Sequence, residues 1–165
     1  MPDSSNPETS SPSANSASPV GHRITLRGPW SVRLLLRGHV SSAAAPLRVT
    51  VPGPWTLGDL PVEAAAIYTR WFNAPVRPPV GEQLWLIFPG IGGSGEVWLN
   101  GACLGSVVNT TTDHLAANAA FRIDPLLKPR NELEVRLQPT GPLATRGLYG
   151  AAVLEFRPEA VSSRE

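Results

Sequence analysis

The sequence predicts an all-β fold, an antiparallel β-sandwich. Short runs alternate apolar and polar residues at near-regular spacing, which is the period of a half-buried strand. Gly supplies 15 and Pro 18 of the 165 residues, favouring many turns over long helices. No stretch has the apolar stripe of an amphipathic helix. Eight or nine strands arranged this way are the signature of a sandwich.

The first twenty residues are rich in Ser and Pro, with no apolar run and no Lys or Arg before Arg23. Residues 1–20 cannot bury enough apolar area to offset their ordering entropy, so they are expected to form a disordered tail. They also lack the basic start and apolar centre of a secretory signal, and a cytoplasmic location is expected. The folded domain is expected over 21–158, with a short tail over 159–165.

Trp30, Val32, Leu34 and Leu36 alternate with Ser31, Arg33, Leu35 and Arg37, a half-buried strand. Leu47 to Val51 is a second, ended by Pro52-Gly53-Pro54. A loop with one helical turn is expected from Trp55 to Ala66. Ile67 to Asn73 is β-rich, and Arg77 to Gly81 is a turn. Leu84 to Phe88 is continuously apolar, as in a strand buried on both faces.

Asn100-Gly101 marks a hairpin over 96–106, because a type I′ turn needs positive φ at both central residues. Val97 and Leu99 face one side of it; Glu96 and Trp98 face the other. Val107 to Asn118 reads as a loop, Ala120 to Asp124 as a short strand and Pro125 to Asn131 as a turn. Leu133, Val135 and Leu137 define another strand, with Glu132, Glu134 and Arg136 on its solvated side. Pro139 to Gly150 is a loop before a last strand, Ala151 to Phe156.

The net charge of +1 gives no electrostatic footprint for nucleic acid or a membrane surface. No run of about 18 apolar residues is present to span a bilayer. Cys103 is the single cysteine, and the three histidines have no zinc spacing. No cofactor or metal is expected. Gly90-Ile91-Gly92-Gly93-Ser94-Gly95 matches a dinucleotide-binding pattern, but a strand follows where a helix N-terminus would have to receive the pyrophosphate. It reads as an inter-strand turn. Ser94 fails the nucleophile-elbow spacing because Glu96 stands where glycine is needed. Glu132 and Glu134 read as solvated decoration, and Asp59 and Glu63 are weak candidates for a carboxylate pair. Trp30 and Trp85 fall in strand-core registers.

Several motifs then line up in order: Val51-Pro52-Gly53-Pro54-Trp55, Tyr68-Thr69-Arg70-Trp71-Phe72, Leu84 to Phe88, Glu96 to Gly101, Phe121-Arg122-Ile123-Asp124, Leu126 to Val135, and Gly147-Leu148-Tyr149-Gly150. Over about residues 28 to 157 the chain resembles the N-terminal sugar-binding domain of glycoside hydrolase family 2, the β-galactosidase and β-glucuronidase type. The resemblance implies a galactose-binding-domain-like jelly roll. It implies a non-catalytic carbohydrate-binding accessory domain, because the family's catalytic glutamates lie in a separate barrel. The alternative is a structural or protein-interaction module without sugar affinity. The sequence departs from the family at Ser106 to Thr110, where a His and glycines are usual, and at Gly150, where Arg often stands.

Loops carry function in such sandwiches. The expected ligand-binding residues are Trp55 and Tyr149 for stacking, with Asn109, Asp113, His114 and Arg146 for hydroxyl groups. The expected partners are a carbohydrate ligand or a separately encoded glycosidase, with no nucleic acid and no membrane. No catalytic residue is assigned.

Overall fold

The computed structural model describes residues 22–36, 39–40, 45–53, 55, 57, 64–76, 80–108, 119–142 and 146–159. The expected tail over 1–20 lies outside them, as does most of the loop with one helical turn expected from Trp55 to Ala66, whose last residues, Ala65 and Ala66, are already in a strand. The strands are β1 (Arg23–Thr25), β2 (Trp30–Leu36), β3 (His39–Val40), β4 (Leu47–Val49), β5 (Ala65–Asn73), β6 (Glu82–Phe88), β7 (Gly93–Leu99), β8 (Ala102–Val108), β9 (Ala119–Arg122), β10 (Arg130–Pro139) and β11 (Val153–Pro158). One sheet runs β1-β11-β6-β9. The larger runs β3-β2-β5-β10-β7-β8, with β4 also pairing β2, along Trp30 to Val32. Every pairing is antiparallel.

Two faces meet in one core. Trp30, Val32, Tyr68, Val97, Leu99, Leu133, Val135 and Leu137 come from the larger sheet; Leu84, Leu86, Phe88, Leu154 and Phe156 come from the smaller. Each set repeats at every second residue, so the alternation seen in the sequence is the inward face of each strand. Truncating a fully buried member such as Leu86 to Ala should cost about 2–5 kcal/mol.

Three expectations are corrected. The β6 strand is fully buried on one face only: Leu84, Leu86 and Phe88 point inward, while Trp85 and Ile87 lie half-buried on the outer face. Trp85 is therefore not a core residue; the Arg157 guanidinium covers its ring at 5.3 Å. A helical turn forms at Asp124–Leu126, where Pro125 supplies a helix-compatible φ, and not as an extension of the preceding strand. Glu159, the last described residue, donates its N–H to Gly81 O at 2.7 Å.

The β7–β8 hairpin turns as its sequence requires, with φ of 53° at Asn100 and 84° at Gly101. The register shifts between Val97 and Trp98, leaving Leu104 as an extra residue whose side chain packs on the core. Two asparagines lock this turn to the start of β10. Asn131 is fully buried; its Oδ1 accepts from Lys128 N–H (2.8 Å) and from Asn100 Nδ2 (2.9 Å), and its Nδ2 donates to Lys128 O (2.8 Å). Asn100 Oδ1 in turn accepts from Glu132 N–H at 3.0 Å.

The glycine run is a tight backbone clasp leading into β7. Gly92 and Gly147 exchange N–H···O bonds of 2.7 and 2.9 Å, and Gly150 N–H donates to Gly90 O at 3.0 Å. A side chain at Gly95 would drive into the carbonyl of Arg136, which explains glycine there.

Candidate functional site

Strand register decides where the loops go. Val108 lies opposite Ser94, Pro139 opposite Gly93, and Ala66 opposite Leu137. β8 and β10 therefore end, and β5 begins, at the same end of the larger sheet. The sequence carried no signal for this shared end, because it depends on pairing between strands far apart in the chain.

The residues expected there fall into three groups. Trp55 is only 9% exposed and belongs to the core, its ring packed on Gly147 beside the Tyr68 hydroxyl. Arg146 shares a recess with it, and Arg146 Nε donates to Gly141 O at 3.1 Å. Tyr149 lies three residues on, half-buried, with its ring against Gly90. Asn109, Asp113 and His114 lie outside the described residues, as do Asp59 and Glu63. The recess has a volume of about 20 Å³, room for about one water molecule. A pyranose does not fit inside it.

Burial raises the pKa of the Tyr68 hydroxyl strongly, and a hydrogen bond from the Leu148 backbone offsets only part of that. This tyrosine is a neutral core residue whose polar tip is satisfied by the 146–150 turn.

A second surface lies on the outer face of the larger sheet, in a groove of about 540 Å³. Pairing builds it. Arg48 of β4 stands opposite Ser31 of β2, and Ser31 opposite Thr69 of β5. Trp71 follows Thr69 on the same face, opposite Glu132 of β10. Arg33 lies on the same face, Pro29 and Pro46 also line the groove, and Arg70 borders it from between Thr69 and Trp71, with the side-chain parity of the inward Tyr68 and Phe72. Trp71 remains 46% exposed, although the Arg130 guanidinium lies 4.9 Å from its ring centroid. Arg70 donates from Nη1 to Pro29 O at 3.0 Å, while its buried Nε has no partner among the described residues. The alternation of β2 and β5 put Ser31, Arg33 and Trp71 on a common kind of face. The missing element was Arg48, whose strand could not be registered from sequence.

Asp124, Glu134 and Glu155 are engaged by arginines. Glu134 meets Arg136 at 3.0 Å and Arg33 at 3.9 Å. Asp124 is held below the usual carboxylate range by its hydrogen bond with Arg122, against a smaller opposing effect of burial. At Glu155 burial pushes upward, but Arg157 (2.8 Å) and Arg23 together hold it below its ordinary value. Among the described residues no group of three or more His, Cys, Asp or Glu could hold a metal ion. No helix there is long and apolar enough to cross a membrane.

No protein-family model and no curated protein matches the chain. Solved structures do. The β-glucuronidase of Bifidobacterium dentium matches with a TM-score of 0.65 at 17% identity, over 86% of this chain and 31% of that one. The FMN-binding β-glucuronidase of Facaelibacterium prausnitzii L2-6 matches with a TM-score of 0.63 at 20% identity, over 84% of this chain and 23% of that one. The β-D-mannosidase of Dictyoglomus thermophilum matches with a TM-score of 0.60 at 21% identity, over 81% and 22%. The chain thus spans less than a third of the length of these enzymes. The resemblance read from the sequence holds at the level of fold: this β-sandwich is shared with one part of each of them.

Proposed function

We propose that this chain is a non-catalytic carbohydrate-binding module of the kind that accompanies family 2 glycoside hydrolases. The observation that carries the reading is the exposed Trp71 ring in a groove with the Ser31 and Thr69 hydroxyls and Glu132. An aromatic face stacks on the apolar face of a pyranose, while flanking donors and acceptors meet its hydroxyls. The groove volume of about 540 Å³ falls in the common range for small-ligand sites.

The carboxyl chemistry supports the non-catalytic part. Glycoside hydrolysis asks for a general acid whose pKa is raised. Among the described residues Asp124 and Glu155 are both shifted the other way, while the candidate pair Asp59 and Glu63 lies outside them. Purified protein is expected to leave nitrophenyl glycosides intact.

A glycan array with the purified chain tests the reading, with Trp71→Ala and Tyr149→Ala as variants. Binding that Trp71→Ala abolishes supports the groove. Binding abolished by Tyr149→Ala alone moves the site to the 146–150 turn, where Arg146 and the loop residues Asn109, Asp113 and His114 would join it. Absence of glycan binding at millimolar concentration rejects the reading and leaves a protein-interaction module, such as one that docks on a separately encoded glycosidase. That second reading has its own support: Trp71 and Leu47 are large apolar side chains, 46% and 49% exposed, of the sort found at protein contacts.

A further inference from the structure

We infer that β8 pairs with β8 of a second copy of this chain, antiparallel about a two-fold axis at Ser106, so that the larger sheet runs on from one copy into the other. Among the described residues β8 is the last strand of that sheet, bonded to β7 on one side only. Its other side presents alternate N–H and C=O groups with no described strand to receive them. Such an edge is a template for another strand.

The other outer strands are short and carry charge or barely extend. β1 and β9 close the smaller sheet with three and four residues, and include Arg23 and Arg122. At the far edge of the larger sheet β3 has two residues, and β4 has three with Arg48 among them. β8 has seven, Ala102 to Val108, with no charge and no proline. Its bulge at Leu104 disturbs the first half of the strand only; from Gly105 to Val108 the pairing with Val97 to Ser94 is regular.

Side-chain direction sets the axis. Opposite residues of an antiparallel pair share a face. Val107 is buried and inward, Gly105 shares its face, and Ser106 is exposed on the outer face across from Glu96. An axis at Ser106 sets Gly105 of one copy opposite Val107 of the other, both inward, and Ser106 opposite Ser106. An axis at Gly105 would instead oppose Cys103 and Val107, which face opposite ways. Apolar surface beside the edge gains cover as well. Val108 is 58% exposed, and the half-buried Phe121 ring lies against Gly105, where an added Cβ would meet it at 2.9 Å.

A second copy is the occupant that this edge suits. The strand carries no charge to select a different partner, whereas two-fold pairing matches its N–H and C=O groups to those of an identical strand. Like charges do not oppose it. The two Glu96 side chains would stand three strand spacings apart, about 14 Å, beyond the screening length of about 8 Å at physiological salt. The ladder is short, so association is weak, in the class of contacts below about 1,200 Å². The Trp71 groove lies three strands away on β5 and stays open, so this pairing and glycan binding are tested separately.

The test is sedimentation of the full chain from about 5 to about 500 µM, the range in which a weak interface passes from monomer to dimer. The chain should make that passage, with little change at about 0.5 M NaCl, since no ion pair is involved. Ser106→Lys should keep the circular dichroism of the parent, because the side chain is exposed. It should weaken dimerisation at least about tenfold by setting two ammonium groups across the axis. Ser106→Cys in a Cys103→Ser background should form an intermolecular disulfide on mild oxidation, because opposite Cα atoms lie about 4.5–5.5 Å apart, within disulfide reach. The parent should not, since its two Cys103 residues would lie more than about 15 Å apart. A chain that stays monomeric up to the highest concentration overturns the inference and leaves the edge to a strand of another protein. A dimer that survives Ser106→Lys, or that cross-links through Cys103, overturns the axis at Ser106.

Discussion

The Asn100–Asn131 lock and the outer-face groove use polar side chains in opposite ways. In the lock every amide group has a protein partner: Asn131 accepts two hydrogen bonds and donates one, and Asn100 Nδ2 donates to both Asn131 Oδ1 and Leu126 O at 2.9 Å. In the groove Arg48 is exposed and has no hydrogen bond or ion pair among the described residues. Buried polar groups that close on one another fix a conformation. Polar groups that the fold leaves open are available to something outside it. The difference separates structural residues from ligand candidates more sharply than residue type does.

The largest effect should come from breaking the lock. Asn131→Leu removes the partner of Lys128 N–H, Lys128 O and Asn100 Nδ2 at a fully buried position. The expected cost is about 3 kcal/mol, because unsatisfied buried groups cost roughly 1–3 kcal/mol each and some will find water. Urea denaturation measures it; an unchanged midpoint would mean that the lock contributes nothing and that the contrast with the groove is empty. Gly101→Val comes next. Nothing lies within 4 Å of the added Cβ, so its cost is purely the backbone strain of a β-branched residue at φ of 84°. About 1–3 kcal/mol is expected, and Gly101→Asn should recover most of it, since asparagine tolerates that region.

These two regions also differ in how legible they were. The turn was plain from Asn100-Gly101, because positive φ at two successive residues is a local demand that few residue pairs meet. The sandwich was legible from strand alternation, and Leu133, Val135 and Leu137 faced inward as the period requires. Trp85 misled because an apolar run does not reveal whether one face or both are covered; the outer face here is covered only by side chains such as Arg157. Trp55 was equally ambiguous beside its Pro and Gly neighbours, and its packing on Gly147 depends on a contact 92 residues away in the chain. The groove was illegible for the same reason. Arg48, Ser31 and Thr69 become one row only after three strands have chosen their register.

Acid should act on the closed parts of the molecule and spare the open one. Asp124, whose pKa is lowered chiefly by its hydrogen bond with Arg122, sits in the helical turn that Asn100 caps through Leu126 O. A carboxyl whose folded pKa lies below its unfolded value of about 3.9 stabilises the fold above that value. The contribution is lost as pH falls through the lower, folded value. Glu155 behaves in the same sense, with burial opposing and its two arginines prevailing. The urea midpoint should therefore fall below about pH 4, and Arg122→Gln should shrink that fall. A fall of equal size in Arg122→Gln would mean that the Asp124 pairing does not survive in solution.

The smallest effect is the one expected at Arg48, and its smallness is informative. The side chain is exposed and has no partner among the described residues. Arg48→Ala should then change stability by no more than about 0.5 kcal/mol, as surface substitutions away from networks do. It should also leave the acid dependence of the parent unaltered, since neither Asp124 nor Glu155 meets it. A loss of 2 kcal/mol or more, on the order of that at a broken buried pair, would mean that Arg48 closes a network of the same kind as Asn131. The groove would then be part of the scaffold. A neutral outcome, joined to a loss of saccharide binding in the same variant, would assign that arginine to a ligand on the ground that the fold has no use for it.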